Sequence, residues 1–452
     1  MTKINVLTFT VNPQEGASWG RGPSSVTQNF VERARGLGYD VIWYLIVPQI
    51  QAMTMAGAPD VGQDEIITGT DIDAGWMPRP CDKTIIYIDP TWSNKTKTPE
   101  EEQDKAARRQ RDLTISIPSP KIGITISHEM TMGEKKAYKR YPDLLDGIDE
   151  IVCFGPEAKI LGLFDEMEGH ELKHKARFIQ HNTIASTEHP TWRPASEKAR
   201  SSFVWQGRDS RWKGWQDWLD FRTRAKEHGI SIGLTFQGMT RSRGTMNEMT
   251  TSLKPKIFKP DLEVDVRRST RRVLATEKDK TRVYGLYTAD TSLLDEAGFV
   301  MYTTRFHGRF WPEYATIEAL QAGTVLAVPS TYFEEGGVLA GMDPETVGLM
   351  PLPCDRIEMM GALKRKKLSD EDKTRLKKQE EEEWARFKRI FEMLRDDDEA
   401  YDRWRERAWE TFIRDVDWDG KIRMIIEGGS EVENPDFWED SHQAILLDPA
   451  PR

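Results

Sequence analysis

The feature that most constrains the fold of this chain is a regular alternation of short, uninterrupted apolar segments with longer segments of helical period. In the first half, the apolar segments are residues 4–11, 40–47, 83–89, 121–127, 147–155 and 175–182, and the helical ones are 25–38 and 100–113. Strands that are apolar throughout, rather than at alternate residues, are typical of a parallel sheet covered on both faces. The sequence therefore predicts an α/β fold.

A second series of the same kind follows a polar, proline-bearing stretch at residues 183–200, which we interpret as a linker. Its predicted strands are 202–208, 230–238, 281–287 and 299–304, and its predicted helices are 215–229 and 291–298. After residue 365 the chain becomes highly charged. Apolar residues recur there at helical spacing, namely Trp384, Phe387, Ile390, Phe391 and Leu394.

This pattern predicts three regions. Residues 1–190 and 200–390 each form a Rossmann-like, doubly wound domain, and residues 391–452 form a helical region that packs back across the domains. Two such domains facing each other make a cleft. Ligands of open α/β sheets bind beyond the carboxyl ends of the strands, so candidate residues should directly follow strands.

Composition excludes several classes of protein. The net charge of −10 argues against an overall basic nucleic-acid binder, although a local basic groove can coexist with an acidic remainder. The three cysteines form no CxxC pair, so we expect neither a disulfide framework nor a zinc cage, and a reducing, cytoplasmic setting. The longest apolar stretch, residues 41–47, is far shorter than a membrane span, so we expect no membrane anchoring.

Two candidate motifs follow strands of the first domain. Residues 9–26 contain a glycine-rich loop with Gly20 and Gly22, whose backbone N–H groups suit a phosphate or sugar near a helix N-terminus. The loop matches neither GxGxxG nor a P-loop, so a surface loop without a ligand stays an alternative. His128 and Glu129 follow the strand at 121–127, where they suit hydrogen bonding to a hydroxyl and acceptance of its proton. A purely structural role is the alternative for this pair.

The second domain offers two fixed cations in "WQGRDSRWKGW". Arg208 ends a predicted strand, and Lys213 lies just before a predicted helix. Cations near a helix N-terminus suit a diphosphate leaving group without a metal ion. A charged, solvated loop is the alternative interpretation.

The stretch "RFWPEYATIEALQAGTVLAVPS" carries two glutamates, Glu313 and Glu318. Pro312 suits the first position of a helix and Gly323 the residue after its end, which predicts a helix over 312–322, followed by a turn and a strand. Five residues correspond to about 500° of rotation, so the glutamates do not share one helix face. Glu318 has apolar neighbours, and its carboxylate is suited to accept hydrogen bonds from the vicinal hydroxyls of a ribose.

Two aspartate-rich stretches look like metal sites but are discounted. "DVDWDG" at 415–420 begins like a calcium loop, yet its twelfth position is Ile426 and not glutamate. "TDIDAG" at 70–75 contains an Asp-X-Asp pair without a preceding buried strand. We therefore predict no metal site.

Together the glycine loop, the Gly-Arg…Lys-Gly segment and "IEALQAG" resemble GT-B glycosyltransferases. In the common retaining families a first glutamate would fall at Phe310, where this sequence departs from the pattern. The five-residue spacing of Glu313 and Glu318 instead resembles the DNA α-glucosyltransferases of T-even phages. "GRDSRWKGW", "ISHEM", "IDEIVCFGPEAK", "LLDEAGF" and "AYDRWRERAWETF" are similar to segments of that family in the same order.

The resemblance implies that UDP-glucose donates its sugar, with retention of configuration, to a hydroxymethylated pyrimidine in double-stranded DNA, and that no cofactor is required. By the same resemblance, the second domain binds the nucleotide sugar and the first one DNA. Arg208 and Lys213 would hold the diphosphate, Glu318 the ribose, and Glu313 would lie near the donor sugar or diphosphate. His128 would contact the sugar, and Glu129, where the family has aspartate, would lie on the acceptor side.

DNA binding requires a positive surface, and a basic region of the second domain provides candidates. These are Arg241, Arg243, Arg267, Arg268, Arg271 and Arg272. Two other hypotheses stay open: a GT-B enzyme acting on a glycan, lipid or small molecule, and a non-catalytic nucleotide- or DNA-binding protein on the same scaffold.

Overall fold

The computed structural model describes residues 1–9, 21–47, 63–88, 100–125, 142–154, 174–179, 188–208, 215–239, 264–267, 281–284, 292–303, 314–334, 339–356 and 368–429. The chain divides into two units. The first comprises residues 1–186 and 417–433, and the second comprises residues 187–416 and 434–452.

The first unit is built on a parallel sheet. Its elements along the chain are β1 (Lys3–Phe9), α1 (Arg21–Gly36), β2 (Asp40–Val47), β3 (Glu65–Thr68), α2 (Gly69–Asp73), β4 (Lys83–Ile88), α3 (Glu100–Ser116), β5 (Lys121–Thr125), β6 (Glu150–Phe154) and β7 (Ala176–Ile179). The described strands run in the order β3-β2-β1-β4-β5-β6-β7, and every pair is parallel. The α/β class predicted from continuous apolar strands is confirmed.

The second unit repeats this design. Its elements are β8 (Ala199–Arg208), α4 (Trp215–Glu227), β9 (Gly233–Met239), β10 (Val264–Arg267), β11 (Thr281–Tyr284), α5 (Ser292–Glu296), β12 (Ala297–Met301), α6 (Tyr314–Gln321), β13 (Val325–Pro329), α7 (Pro344–Val347), β14 (Met350–Leu352), α8 (Asp370–Asp396) and α9 (Asp398–Trp409). The described strands follow the order β10-β11-β9-β8-β12-β13-β14 and are also parallel.

Helix α8 covers the core of the second unit with the apolar face predicted from its periodicity. Trp384, Phe387, Ile390, Phe391 and Leu394 are all buried in one cluster with residues of the sheet. Ser369 caps the helix by accepting a hydrogen bond from the backbone N–H of Asp372. The helix runs from Asp370 to Asp396, so the predicted boundary at residue 391 falls inside it.

The last described helix, α10 (Trp418–Glu427), belongs to the first unit. Lys83 Nζ donates to the carbonyl of Ile426 at 2.5 Å, and Arg177 Nη1 donates to the carbonyl of Met424 at 2.6 Å. Trp418 and Ile422 on its inner face are buried. The side chains of Lys83 and Arg177 thus supply donors to carbonyls of its last turn, in addition to the N–H of Gly428, which donates to Met424 O at 3.2 Å.

Candidate functional site

The end of β1 and the start of α1 are fixed to each other by a buried polar contact. The hydroxyl of Thr8 accepts a hydrogen bond from Trp43 Nε1 at 3.0 Å and donates one to the hydroxyl of Thr27 on α1 at 3.2 Å. Gly22 lies in the first turn of α1, whereas Gly20 lies outside the described residues. The helix N-terminus is therefore held near the carboxyl end of a central strand, a position at which helix N–H groups commonly bind anions.

The predicted pair His128 and Glu129 lies outside the described residues, but the strand that leads to it is described. β5 ends at Thr125, three residues before His128. Because β4 is the single strand between β1 and β5, the carboxyl ends of these two strands are about 10 Å apart. The segments carrying the glycine loop and the His-Glu pair therefore leave the sheet from the same edge.

In the second unit, Arg208 is the last residue of β8, and Lys213 lies outside the described residues, two positions before α4. β8 lies between β9 and β12. The buried Trp205 on β8 donates from Nε1 to the hydroxyl of Thr303, just after β12, at 2.8 Å. This bond joins the carboxyl ends of the two strands and fixes the backbone that leads into Arg208.

Of the basic candidates for DNA binding, Arg267 is described and ends the edge strand β10. The remaining ones lie outside the described residues: Arg241, Arg243, Arg268, Arg271 and Arg272. Arg267 is in register with Tyr284 and, through β11, with Gln237 on β9. Three strand spacings separate β10 from β8, which places the Arg267 backbone about 15 Å from the end of β8 along the carboxyl edge.

Helix α6 carries Glu318. Its described part begins at Tyr314, so Glu313 lies just before it, outside the described residues. Glu318 is half-buried, and both neighbours, Ile317 and Ala319, are fully buried. The partial burial expected of Glu318 from its apolar neighbours in sequence is therefore confirmed.

The carboxyl end of α6 is a complete Schellman motif, and Gly323 follows the helix as the sequence predicted. This glycine has φ = +61°, the left-handed conformation that favours glycine after a helix. Its N–H donates to the carbonyl of Leu320 at 3.0 Å, and the N–H of Thr324 donates to the carbonyl of Ala319 at 3.1 Å. The motif thus provides donors for two of the four terminal carbonyls of the helix.

Three side chains from outside α6 supply donors to the carbonyls that follow. Trp192 Nε1 donates to Gln321 O at 2.9 Å, and Lys198 Nζ donates to Ala322 O at 2.9 Å. Arg405 Nη1 donates to Gly323 O at 3.2 Å. We call Trp192, Lys198 and Arg405 the carboxyl-end clamp. The first two lie in the polar stretch at residues 183–200 that resembles a linker, and the tryptophan in it is the sequence signal against that interpretation.

Lys198 is the most deeply buried cation of the clamp, with 5% of its surface exposed. Burial, together with the nearby charge of Arg405, lowers the pKa of its amine from 10.5 to about 7. Its Nζ also approaches Thr324 Oγ1 at 3.2 Å and Leu294 O at 3.5 Å. The amine is therefore surrounded by acceptors but removed from water, a setting that discriminates strongly between its charged and neutral forms.

A second charged network lies just beyond β13 and β14. Arg356, which is 4% exposed, donates from Nε to Glu383 Oε1 at 2.6 Å and from Nη1 to Glu334 Oε2 at 2.8 Å. Ser330 Oγ and the backbone N–H of Cys354 donate to Glu383 Oε2 at 2.9 and 3.1 Å. Burial alone opposes the charge of Arg356, but the two carboxylates raise its pKa above the usual range. The network joins the segments that follow β13 and β14 to helix α8.

The aspartates of the two discounted stretches have structural partners. Asp71 forms a capping box with Thr68 at the start of α2, and Asp73 pairs with Arg109. Asp417 caps α10, and Asp419 pairs with Arg33. Within the described ranges, no group of three or more His, Cys, Asp or Glu side chains is arranged to hold a metal ion.

No helix in the described part of the chain combines the length and apolar character needed to cross a bilayer.

No protein-family model and no curated protein sequence matches this chain. Several solved structures do match this chain. An α-glucosyltransferase in complex with UDP-glucose and DNA containing an abasic site matches with a TM-score of 0.66 and 15% identity, over 94% of this chain and 99% of that one. An α-glucosyltransferase with UDP and a 13-mer DNA containing a HMU base matches with a TM-score of 0.63 and 15% identity, over 93% and 99%.

A more distant match is the catalytic domain of starch synthase IV from Arabidopsis thaliana, bound to ADP and acarbose. Its TM-score is 0.52 at 10% identity, over 94% of this chain and 98% of that one. In each comparison the matched region covers nearly all of this chain and nearly all of the solved structure. The similarity therefore extends over both units and is not limited to one of them. The chain therefore has the GT-B fold of these glycosyltransferases.

Proposed function

We propose that this protein is a glycosyltransferase that moves glucose from UDP-glucose to the hydroxymethyl group of a modified pyrimidine in double-stranded DNA, with retention of configuration. The observation that carries the proposal is the match to α-glucosyltransferase structures over 94% of this chain and 99% of theirs at a TM-score of 0.66, against 0.52 for the starch synthase. The five-residue spacing of Glu313 and Glu318 supports the same choice. We propose the cytoplasm of the host cell as its site of action.

The donor binds at the carboxyl edge of the second sheet in this proposal. Arg208 and Lys213 contact the diphosphate close to the N-terminus of α4, where the helix dipole adds to their positive charge. Glu318 accepts hydrogen bonds from the two ribose hydroxyls, and its half-buried position strengthens them. Glu313 lies near the donor sugar or diphosphate. Gly20 and Gly22 let the backbone at the start of α1 approach the donor closely.

The transfer breaks the bond between C1 of glucose and the β-phosphate oxygen and forms a bond between C1 and the hydroxymethyl oxygen. Electrons of the broken bond stay on UDP, whose added charge Arg208 and Lys213 stabilise. Glu129, on the acceptor side, takes the hydroxyl proton, while His128 hydrogen-bonds the sugar. Because both partners are held in place, positioning supplies a large share of the rate enhancement.

Besides the first unit, which carries Glu129 on the acceptor side, the DNA contacts the basic region of the second unit through its phosphates. Arg267 at the edge of the sheet, with Arg241, Arg243, Arg268, Arg271 and Arg272, provides charges for this contact. A base within a duplex is not accessible to the donor sugar, so the modified pyrimidine is flipped out of the stack before transfer.

A second candidate is a GT-B enzyme that acts on a glycan or small molecule. The net charge of −10 and the match to a starch synthase bound to ADP and acarbose favour it. A non-catalytic nucleotide-binding protein is the third. Salt-sensitive DNA binding separates the first candidate from the second, and turnover of the donor separates both from the third.

The test is incubation with UDP-glucose and duplex DNA containing hydroxymethylcytosine or hydroxymethyluracil, with mass spectrometry of the digested DNA. We expect one added hexose per modified base and none on unmodified DNA of the same sequence. Glu318→Ala should lose UDP-glucose binding while its circular dichroism stays that of the parent. No adduct on either DNA with any common nucleotide sugar would refute the proposal.

A further inference from the structure

We infer that the carboxyl-end clamp (Trp192, Lys198 and Arg405) positions Glu318 and thereby sets the affinity of the second unit for its nucleotide. The inference rests on the proposed function, because it takes Glu318 as a ligand of the donor. The clamp residues themselves make no contact with the donor in this scheme; they act through the backbone of α6.

Helix α6 is too short to hold its own conformation. Its described part has eight residues, and isolated helices shorter than about 12 residues are marginal in water. Its orientation therefore depends on tertiary contacts at its ends and on its buried face. At the carboxyl end these contacts are the clamp, which binds three consecutive carbonyls, those of Gln321, Ala322 and Gly323.

A direct hydrogen-bonded path connects the clamp to Glu318. Trp192 Nε1 donates to Gln321 O at 2.9 Å, and the N–H of the same peptide group, which belongs to Ala322, donates to the carbonyl of Glu318 at 3.0 Å. Adjacent hydrogen bonds in one chain polarise each other, so loss of the outer bond weakens the inner one. A shift of the last turn is thus transmitted to the turn that carries the Glu318 carboxylate.

Two of the clamp residues, Trp192 and Arg405, also contact each other. The guanidinium of Arg405 lies 4.8 Å from the centre of the Trp192 ring and pairs with Asp402 at 2.7 Å. Arg405 further donates to the carbonyl of Arg193 at 2.9 Å. The guanidinium of Arg405 is also favoured by the negative end of the helix. Trp192 and Arg405 therefore support the end of α6 together and not as independent surface contacts.

The cleanest variant is Trp192→Phe, which keeps an aromatic ring but removes the N–H that binds Gln321. Its matched control is Trp404→Phe on α9, because Trp404 is 3% exposed and its indole N–H has no hydrogen-bond partner in the described part of the chain. We expect Trp192→Phe to weaken UDP binding about fivefold by calorimetry, which corresponds to about 1 kcal/mol. Trp404→Phe should leave the dissociation constant unchanged.

A double-mutant cycle tests whether the effect passes through Glu318. In a Glu318→Gln background, which retains the side chain's shape, Trp192→Phe should cost little further UDP affinity. A general structural role would produce the same fivefold loss in both backgrounds, and that result would overturn the inference. Unchanged affinity of Trp192→Phe, where the wild type binds UDP, would overturn it too.

Hydrogen exchange tests the clamp without any nucleotide. Amides of residues 319–324 should exchange faster in Trp192→Phe than in the wild type and in Trp404→Phe, since the Schellman motif opens more often. Equal exchange in all three proteins would show that the clamp does not hold α6. Failure of the wild type to bind UDP, by contrast, would refute the proposed function and with it the role in donor binding, whatever the exchange shows.

Discussion

The indole of Trp192 lies directly against the backbone of Gly323. A Cβ atom built on this glycine would lie 2.3 Å from Cγ of the ring, a separation that real Cβ atoms essentially never show. Gly323 also has φ = +61°. Two separate constraints, one conformational and one steric, therefore require glycine at this position. The free-energy cost of violating each constraint can be measured.

Gly323→Ala should lower the free energy of unfolding by roughly 2 kcal/mol or more, because the new methyl group adds a steric clash to the cost of a left-handed backbone. The matched control is Gly341→Ala. Gly341 has φ = +79°, but nothing lies within 4 Å of the position that a methyl group would take, so it carries only the backbone cost of about 1 kcal/mol. Urea denaturation of both variants gives the difference, and equal losses would contradict the steric contact with Trp192.

Lys198 should make stability rise with pH above neutrality. Its pKa is about 7 in the folded protein and 10.5 when unperturbed, so between these values the unfolded state binds one more proton than the folded state. Stability contributed by this group therefore increases from about pH 7 to about pH 10.5, by roughly 2–3 kcal/mol between pH 7 and pH 9.

The comparison that isolates this contribution is wild type against Lys198→Met, with urea midpoints measured from pH 6 to pH 9. The charged groups that act on the Lys198 amine are Arg405, Asp295, Arg193 and Asp402. The stability of the wild type relative to Lys198→Met should increase with pH. Parallel profiles would show that the amine does not titrate near neutrality.

Arg356→Met should be strongly destabilising, by roughly 3–5 kcal/mol, because it leaves the largely buried carboxylate of Glu383 without its cation. Arg389→Ala on the same helix as Glu383 is the control. Arg389 pairs with Glu345 at 2.6 Å, but the two side chains are 59% and 37% exposed, so its loss should cost less than about 1 kcal/mol. Thermal unfolding of the two variants measures the contrast, and similar losses would argue against burial as the cause.

Replacement of Arg267 and Arg268 together by alanine should weaken DNA binding to a similar degree on all sequences. If each contacts one phosphate, the slope of log K against log salt should fall by about 2. Arg403→Ala serves as control, since this exposed cation pairs with Glu399 on α9 and lies outside the basic region. Fluorescence anisotropy over a salt series gives the slopes. Equal slopes of log K against log salt for the double variant and the wild type would exclude this surface as a DNA-binding site.

Much of the fold could be predicted because its strands are apolar without interruption. The predicted bounds of β2, residues 40–47, agree with the structure to the residue. The strands that sequence analysis missed are short ones: β3, β14 and β10, the last with the sequence VDVR. Such a segment contains too few residues to show a period, and pairing with a neighbouring strand decides its conformation.

In the candidate site, too, some features could be predicted from the sequence and others could not. Gly323 could be predicted as the residue after a helix, because its conformation is dictated by local backbone geometry. The clamp could not, because 212 residues separate Arg405 from Arg193, whose carbonyl it binds beside the α6 terminus. The polar, proline-bearing stretch at residues 183–200 resembles a linker because the carbonyls that accept hydrogen bonds from Trp192 and Lys198 lie far along the chain.

The sequence alone determined the α/β class, the repeated design of the two units and the helix end at Gly323, since periodicity and local conformation are properties of neighbouring residues. Only the tertiary structure decided which side chains supply donors to the carbonyls of α6, how deeply Lys198 is buried, and that residues 417–433 return to the first unit. Hydrogen-bond partners and desolvation depend on segments far apart in the chain, which no local pattern records.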